Sequence, residues 1–159
     1  MLIIAQALAM LGVALAVALA GTGSAIGIGY VGQVASGILR EDPGKFGKMM
    51  LLVALPGTQG IYGFVVGFLL MNKLNLIGGG ANIEWSMGLG LQGLAAGLPI
   101  ALAGLFSAIH QGKVCASGSS LVAKQPDAMG KALILGVFVE FYAVLGLLVS
   151  IFLINGMQV

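Results

Sequence analysis

The sequence predicts an all-α membrane protein with four transmembrane helices. Of its 159 residues, 59% are hydrophobic and 8% are charged, whereas a soluble domain carries about 25% charged residues. Mean hydropathy is +1.10. The apolar residues form four runs, and each exceeds the roughly 20 residues that a helix needs to cross a bilayer. The bilayer leaves little alternative to helices for such spans, because backbone groups inside it must be satisfied within the segment.

The four runs are separated by short polar stretches. They cover about residues 2–39, 46–72, 86–122 and 128–155. Runs one and three are longer than a span requires, so we expect them to tilt or to protrude into water. The first run lacks the basic start of a signal peptide and continues past signal length, so it is interpreted as a retained first helix.

The basic residues predict the orientation. Only Lys73 lies near the middle polar stretch, and the other six flank the first and third. Those six are Arg40, Lys45, Lys48, Lys113, Lys124 and Lys131. Basic residues concentrate on the cytoplasmic side, so loops 40–45 and 124–131 are expected there, with both termini on the opposite side. An integral protein of the bacterial plasma membrane is the predicted location, in contact with lipid.

The two halves of the chain repeat one another. A shift of 83 residues aligns ALAG at 18–21 with ALAG at 101–104 and SAI at 24–26 with SAI at 107–109, and it also aligns prolines and glycines in the turns and helices. The sequence therefore predicts two duplicated helical hairpins that run in the same direction, residues 1–76 and residues 77–159. Under the same shift Glu140 aligns with Gly57, so only the second hairpin carries the acid.

Glu140 is the most informative residue, because it lies within the apolar run GKALILGVFVEFYAVLGLLVSIFLI. It follows Lys131 by nine residues, about 13 Å of helix and near half of the hydrocarbon thickness. The other four acids lie in polar stretches. An ionisable side chain at this depth is costly and marks a functional site by default. A structural ion pair is the bland alternative, but no Lys or Arg lies at the same depth.

Polar residues of other helices fall at the depth of Glu140. The repeat places Thr58 and Gln59 there, and Tyr62 follows Gln59 by three residues on the same helix face. Gln111 lies in the third helix, and Pro56 makes the backbone carbonyl of Leu55 a candidate ligand. These oxygens would form a cage for a hard monovalent cation. The polar side chains alone are equally typical of glue between membrane helices, and a proton would neutralise Glu140 with fewer ligands.

Several other functions are excluded. The net charge of +2 is scattered, which gives no basis for nucleic-acid binding, and there is no GxxxxGK[ST] loop for a nucleotide. His110 and Cys115 are each the only residue of their type, so a zinc site and an internal disulfide are not expected. Glycines at positions 21, 23, 27 and 29 give the first helix a surface of small residues. That surface suits either the tightly packed wall of a ring or packing within one bundle.

The stretches LPGTQGIYGF, FSAIHQGK and VEFYAVLG, together with the duplicated hairpin, resemble the K or c subunit (16 kDa proteolipid) of V-type and A/V-type rotary ATPases. The likeness covers nearly the whole chain and is strongest to bacterial sodium-type members. It implies a rotor ring of identical copies, a membrane stator subunit with an arginine, and a central-stalk subunit at the cytoplasmic loops. The protein is then not an enzyme by itself and binds no nucleotide.

The resemblance also implies the site. The cargo ion, Na⁺ or alternatively H⁺, is expected at Glu140, Gln111, Gln59, Thr58 and the backbone C=O of Leu55, with Tyr62 hydrogen-bonded to the glutamate. Two rivals from other classes remain at this point. One is a small multidrug-cation transporter, which would need an aromatic-lined cavity around its acid, and the other is a structural pore-forming oligomer in which Glu140 is incidental.

Overall fold

The protein was analysed as a computed structural model that describes residues 2–77 and 83–159. In these ranges all regular structure is helical. The α-helices are α1 (Leu2–Glu41), α2 (Phe46–Ala54), α3 (Thr58–Lys73), α4 (Met87–Lys124) and α5 (Met129–Gly156). Single 3₁₀ turns at Pro43–Lys45, Leu55–Gly57 and Pro126–Ala128 precede α2, α3 and α5.

The prediction of four membrane spans is confirmed. Helix α2, the turn at Leu55–Gly57 and α3 together form one span, Pro43–Lys73, and α5 with its turn forms another, Pro126–Gly156. All four spans of the described chain are long and apolar enough to cross a bilayer. Helices α1 and α4 have 40 and 38 residues, or about 60 Å each, so they must extend beyond or tilt within a hydrocarbon layer of about 30 Å.

The loops α1–α2 and α4–α5 lie together at one end of the bundle. The Asp42 carboxylate accepts a hydrogen bond from the backbone N–H of Gly44 and forms an ion pair of 3.2 Å with Lys45. The ammonium group of Lys45 also donates to the carbonyl of Ala123 at 2.9 Å, and Lys48 donates to that of Pro126 at 3.1 Å. Basic side chains thus tie the two polar turns to each other. Which side of the membrane this end faces remains a prediction.

Small residues allow α1 and α4 to touch along their length. The buried positions of α1 recur every three or four residues, which is one helical face, and most are alanine or glycine. A methyl group added at Gly23 would lie 2.6 Å from the carbonyl oxygen of Leu105. One added at Gly93 would lie 2.9 Å from Cβ of Ala9. The backbones therefore meet directly, as small residues permit in membranes.

The repeat in the sequence is also a repeat in packing. In the first hairpin, Gly63 of α3 faces Ala16 and Ala20 of α1, and in the second hairpin Gly146 of α5 faces Pro99 and Ala103 of α4. These positions are related by the same shift of 83. The second span of each hairpin (α3 or α5) therefore packs on the first (α1 or α4) in the same register. The boundary between residues 76 and 77 falls next to 78–82, which lie outside the described residues, and stays a prediction.

Candidate ion-binding site

A break between α2 and α3 sets the position of the polar residues. Pro56 has no backbone N–H, which weakens the α-helix at this point, and the chain forms the 3₁₀ turn Leu55–Gly57 between α2 and α3. The carbonyl of Leu55 accepts the backbone N–H of Thr58. It also accepts the hydroxyl of Thr58 at 3.0 Å. The turn thus holds a backbone oxygen and a side-chain oxygen within contact of each other.

Glu140 of α5 meets this turn in the half-buried space between α3, α4 and α5. Its Oε1 accepts hydrogen bonds from the hydroxyl of Thr58 at 2.7 Å and from that of Tyr62 at 2.6 Å. Its Oε2 lies 3.3 Å from the amide nitrogen of Gln111, which donates to it. Three neutral donors from two other helices therefore converge on one carboxylate.

Two fully buried amides form the inner wall of the site. Gln59 and Gln111 are both 0% exposed. The amide nitrogen of Gln59 donates to Oε1 of Gln111 at 2.6 Å, and that of Gln111 donates to the carbonyl of Gly136 at 3.1 Å. Every buried side-chain polar atom in the described part of the chain has a partner, as buried polar groups require. The network fixes the direction in which each amide points.

The structure brings together all six residues that the sequence and its resemblance single out, but it orients Gln111 differently from the expected oxygen ligand. The nitrogen of Gln111, not its oxygen, faces Glu140, because the oxygen accepts from Gln59 and the nitrogen donates to the carbonyl of Gly136. The oxygens of Leu55 and Gln59 lie within 3.3 Å of the Thr58 hydroxyl, which itself contacts the carboxylate.

Sequence reasoning missed Ser107 as part of the site. Its hydroxyl donates to the carbonyl of Val139 at 2.9 Å and accepts from the amide of Gln59 at 3.4 Å. Ser107 thus connects the residue before Glu140 to the buried amides. The available signal was the repeat, since Ser107 aligns with Ser24, and Ser24 accepts the backbone N–H of Gly60 at 2.8 Å in the first hairpin. Each serine joins the first span of its hairpin (α1 or α4) to the second (α3 or α5).

The site has more oxygen acceptors around the Thr58 hydroxyl than this hydroxyl has protons to donate. The hydroxyl of Thr58 has one proton but lies within 3.3 Å of three acceptors, which belong to Leu55, Gln59 and Glu140. No basic side chain compensates the carboxylate, because the one ion pair within residues 2–77 and 83–159 joins Lys45 to Asp42 in a loop. Four oxygens and one uncompensated negative charge suit a hard cation.

Apolar side chains close the site along the bundle axis. Toward one end lies a cluster that includes Val66, Ile100 and Ile154. Toward the other lies a cluster that includes Leu52 and Val122. The polar residues of α3, α4 and α5 fall between these clusters in all three helices. Apolar packing therefore covers the site at both ends, and its exposed side is the lateral face beside Glu140.

Comparison with known proteins identifies the family. The family of the ATP synthase C subunit matches residues 11–70 and again residues 94–153. The chain belongs to this ATP synthase C-subunit family. The two matches begin 83 residues apart, as the internal repeat requires, and together they cover most of the chain. Family membership makes it a non-catalytic integral membrane component of a rotary ATPase and implies a ring assembly within that complex. It decides against the multidrug-cation transporter.

Family members with curated functions share nearly the full length of this sequence. The K subunit of the V-type sodium ATPase of Enterococcus hirae is 43% identical over 92% of this chain and 89% of its own length. The K subunit of the A-type ATP synthase of Methanocaldococcus jannaschii is 41% identical over 94% of this chain, which spans 62% of that relative. The 16 kDa proteolipid of the V-type proton ATPase of Bos taurus is 30% identical over 91% of this chain and 89% of its own length.

Proposed function

We propose that this chain carries Na⁺ across the membrane at Glu140 as a rotor-ring subunit of a V-type or A/V-type rotary ATPase. The observation that supports it best is the oxygen cluster of Leu55, Thr58, Gln59 and Glu140, which has one negative charge and no basic partner among the described residues. Na⁺ is the cargo of this site. Its charge would neutralise the carboxylate and complete the coordination of the surplus oxygens.

Sodium accounts for the geometry better than a proton does. A proton needs only Glu140, whereas two further oxygens, those of Leu55 and Gln59, lie beside the contact between the Thr58 hydroxyl and the carboxylate. The single proton of the Thr58 hydroxyl cannot serve its three neighbouring acceptors at the same time, and a bound Na⁺ would coordinate the oxygens left over. The name of the Enterococcus hirae relative, a sodium ATPase component at 43% identity, adds independent support. A proton-specific version of the same rotor is the alternative.

The mechanism follows from the charge of the site. Loaded Glu140 is neutral overall, so it tolerates contact with the hydrocarbon layer of the membrane. Empty Glu140 is an anion at membrane depth, which is costly. It therefore needs a positive partner, and we assign that role to an arginine of a stator subunit. Alternation between these two states couples ion movement to rotation.

Rotation is needed because a single ion provides little energy. One charge that moves through 100 mV yields about 2.3 kcal/mol, far below what ATP turnover requires. A ring of copies adds the contributions of several ions per nucleotide. Because only the second hairpin of each copy carries an acid within the membrane, fewer ions cross per turn of the ring for a given number of hairpins. This arrangement favours pumping against steep gradients.

The remaining partners and the location are proposed from the loop end. Loops 40–45 and 124–131 carry basic residues, and Lys45 and Lys48 hold the two loops together. This end is proposed to face the cytoplasm of a bacterium and to contact a central-stalk subunit. Both termini then lie on the outer side of the plasma membrane.

Protection of Glu140 from a carbodiimide tests the sodium site. Purified complex is labelled at neutral pH in NaCl or in KCl at equal ionic strength, and Glu140 is quantified by mass spectrometry. Sodium is expected to protect Glu140 at concentrations at which potassium does not, because the bound ion blocks protonation of the carboxylate. Protection by raised pH alone, with no difference between the salts, would support the proton carrier instead.

A further inference from the structure

A surface cavity between α4 and α5 lies beside the ion site and shares Ser107 with it, but none of the oxygens proposed to hold the ion line it. It has a volume of about 470 Å³ and is lined by Leu102, Ala103, Phe106, Ser107, His110, Val139 and Tyr142. His110 and Tyr142 are exposed and make no hydrogen bond with another described residue. An imidazole and a phenol at membrane depth on a bare surface need something to cover them.

The repeat indicates what covers this surface. Within one chain, the first hairpin packs beside the second, and residues one hairpin apart occupy equivalent positions. If the same side-by-side packing continues, the second hairpin of one copy contacts the first hairpin of the next. Each contact between the two hairpins of one chain then predicts a contact between copies. The residue of the first hairpin is replaced by its equivalent 83 positions later, and the residue of the second hairpin by its equivalent 83 positions earlier, in the next copy.

Contacts inside the chain make this prediction specific. Gly27 of α1 contacts Ala108 and Gly112 of α4. The equivalent contacts place His110 of one copy on Ala25 and Gly29 of the next. Likewise, Gly23 contacts Leu105 and Gly104 contacts Ala20. Their equivalents place Phe106 on Thr22 and Ala103 on Gly21 of the next copy.

Burial agrees with the prediction on both faces. The glycines and alanines that form the contacts inside the chain are buried. Their equivalents are all exposed or half-exposed in the single chain; they are Gly21, Thr22, Ala25, Gly29, Ala103, Phe106 and His110. In addition, a methyl group added at Gly21 or at Gly29 would meet nothing within 4 Å. The first hairpin therefore presents open space where the second hairpin presents large side chains.

We propose that the cavity beside His110 is the docking surface for the Gly21–Gly29 segment of α1 from a second copy. The imidazole of His110 enters the space above Gly29 of that copy, and Tyr142 lies at the edge of the same contact. Inside the chain the equivalent position is Gly27, whose backbone meets Gly112 directly. Between copies, the side chain of His110 is thus proposed to fill the space that the backbones of Gly27 and Gly112 fill within one copy.

This proposal rests on the ring assembly but not on the identity of the ion. It differs from the general expectation of a ring because it fixes which residues meet. It also assigns His110, for which the ion site has no use.

Disulfide cross-linking in native membranes tests the register. The background carries Cys115→Ala, which removes the native thiol. Ala25→Cys with His110→Cys, and Gly29→Cys with His110→Cys, are oxidised and separated on a non-reducing gel. A disulfide requires Cα atoms about 4.4–6.8 Å apart. At least one pair is expected to give a ladder of covalent multimers that collapses on reduction.

Tyr30→Cys with His110→Cys is the matched control. Tyr30 is 40% exposed and follows Gly29 directly, but it lies on another face of α1, with its ring 5.8 Å from the ammonium of Lys113. This pair is expected to remain monomeric. A ladder from the Tyr30 pair, or assembled rings with no ladder from either proposed pair, would overturn the register. Sodium protection of Glu140 is measured separately on the same membranes, so a wrong register and a wrong ion are distinguishable.

A second variant pair tests the open space. Gly29→Leu is expected to reduce the recovered ring at least tenfold, because the leucine occupies the space proposed for His110. Gly37→Leu has equally open surroundings in the chain and no proposed contact, so its rings should assemble normally. Equal ring recovery in the two variants would contradict the docking surface.

Discussion

The two hairpins have the same internal packing but opposite contributions to the site. The first supplies neutral oxygen atoms from Leu55, Thr58 and Gln59, and the second supplies the charge of Glu140. At the position equivalent to Glu140, the first hairpin has Gly57, and at the positions equivalent to Thr58 and Gln59 the second has Phe141 and Tyr142. Duplication preserved the packing of the hairpins, while the proposed oxygen ligands and the acid lie on different hairpins.

This division explains why only one ion site is proposed in each chain. Contact between hairpins inside the chain joins the oxygens of α3 to the acid of α5. The equivalent contact between copies would join Phe141 and Tyr142 to Gly57, which offers no carboxylate. The proposed ion site therefore exists only at the contact between the two hairpins of one chain. The contact between neighbouring copies lacks it, although the backbones are expected to pack alike in both.

The largest effect is expected from Glu140→Gln, which removes the charge but keeps the shape. Sodium transport by the assembled complex should be abolished, because an uncharged side chain neither attracts Na⁺ nor needs the stator's arginine. Sodium uptake into proteoliposomes during ATP hydrolysis measures it. Glu84→Gln, which changes an acid in the exposed loop before α4, should transport normally. Transport above background in Glu140→Gln would return the carboxylate to an incidental role.

A smaller effect is expected from Thr58→Val, which keeps the shape and removes one oxygen of the first hairpin. A hydrogen bond to a charged group contributes about 1.5–3 kcal/mol, so sodium affinity should fall by roughly 10- to 100-fold. The sodium concentration that half-protects Glu140 from carbodiimide measures this change. Ser120→Ala, which removes an exposed hydroxyl that bonds only the Ala116 carbonyl of its own helix, serves as the control. Unchanged sodium affinity in Thr58→Val would remove the first hairpin from the site.

The smallest effect concerns the packing that both hairpins share. Gly23→Ala is expected to destabilise the chain by about 1–3 kcal/mol, since the new methyl group meets the Leu105 backbone and overpacking has this cost. Gly37→Ala should be neutral or slightly stabilising, because it has open surroundings and alanine is the better helix former. Denaturant titration of the detergent-solubilised protein measures both. Equal stability would mean that α1 and α4 are not in direct contact.

The sequence determined the spans, the duplication and the identity of the acid. Hydrophobic run length predicts spans because a bilayer has a fixed thickness, and a lone carboxylate within such a run is conspicuous because its desolvation is costly. The resemblance added the expected ligand set, and the depth argument independently pointed to Thr58 and Gln59.

Only the tertiary structure decided how these groups face one another. Sequence spacing gives depth and helix face, but the direction of an amide depends on its partners from other helices. Thus Gln111 presents nitrogen to Glu140 because Gly136 offers a carbonyl to that nitrogen and Gln59 occupies the oxygen. Ser107 joined the site for the same reason, since its two partners come from α3 and α5. Hydrogen bonds between distant segments are set by packing, which no local pattern encodes.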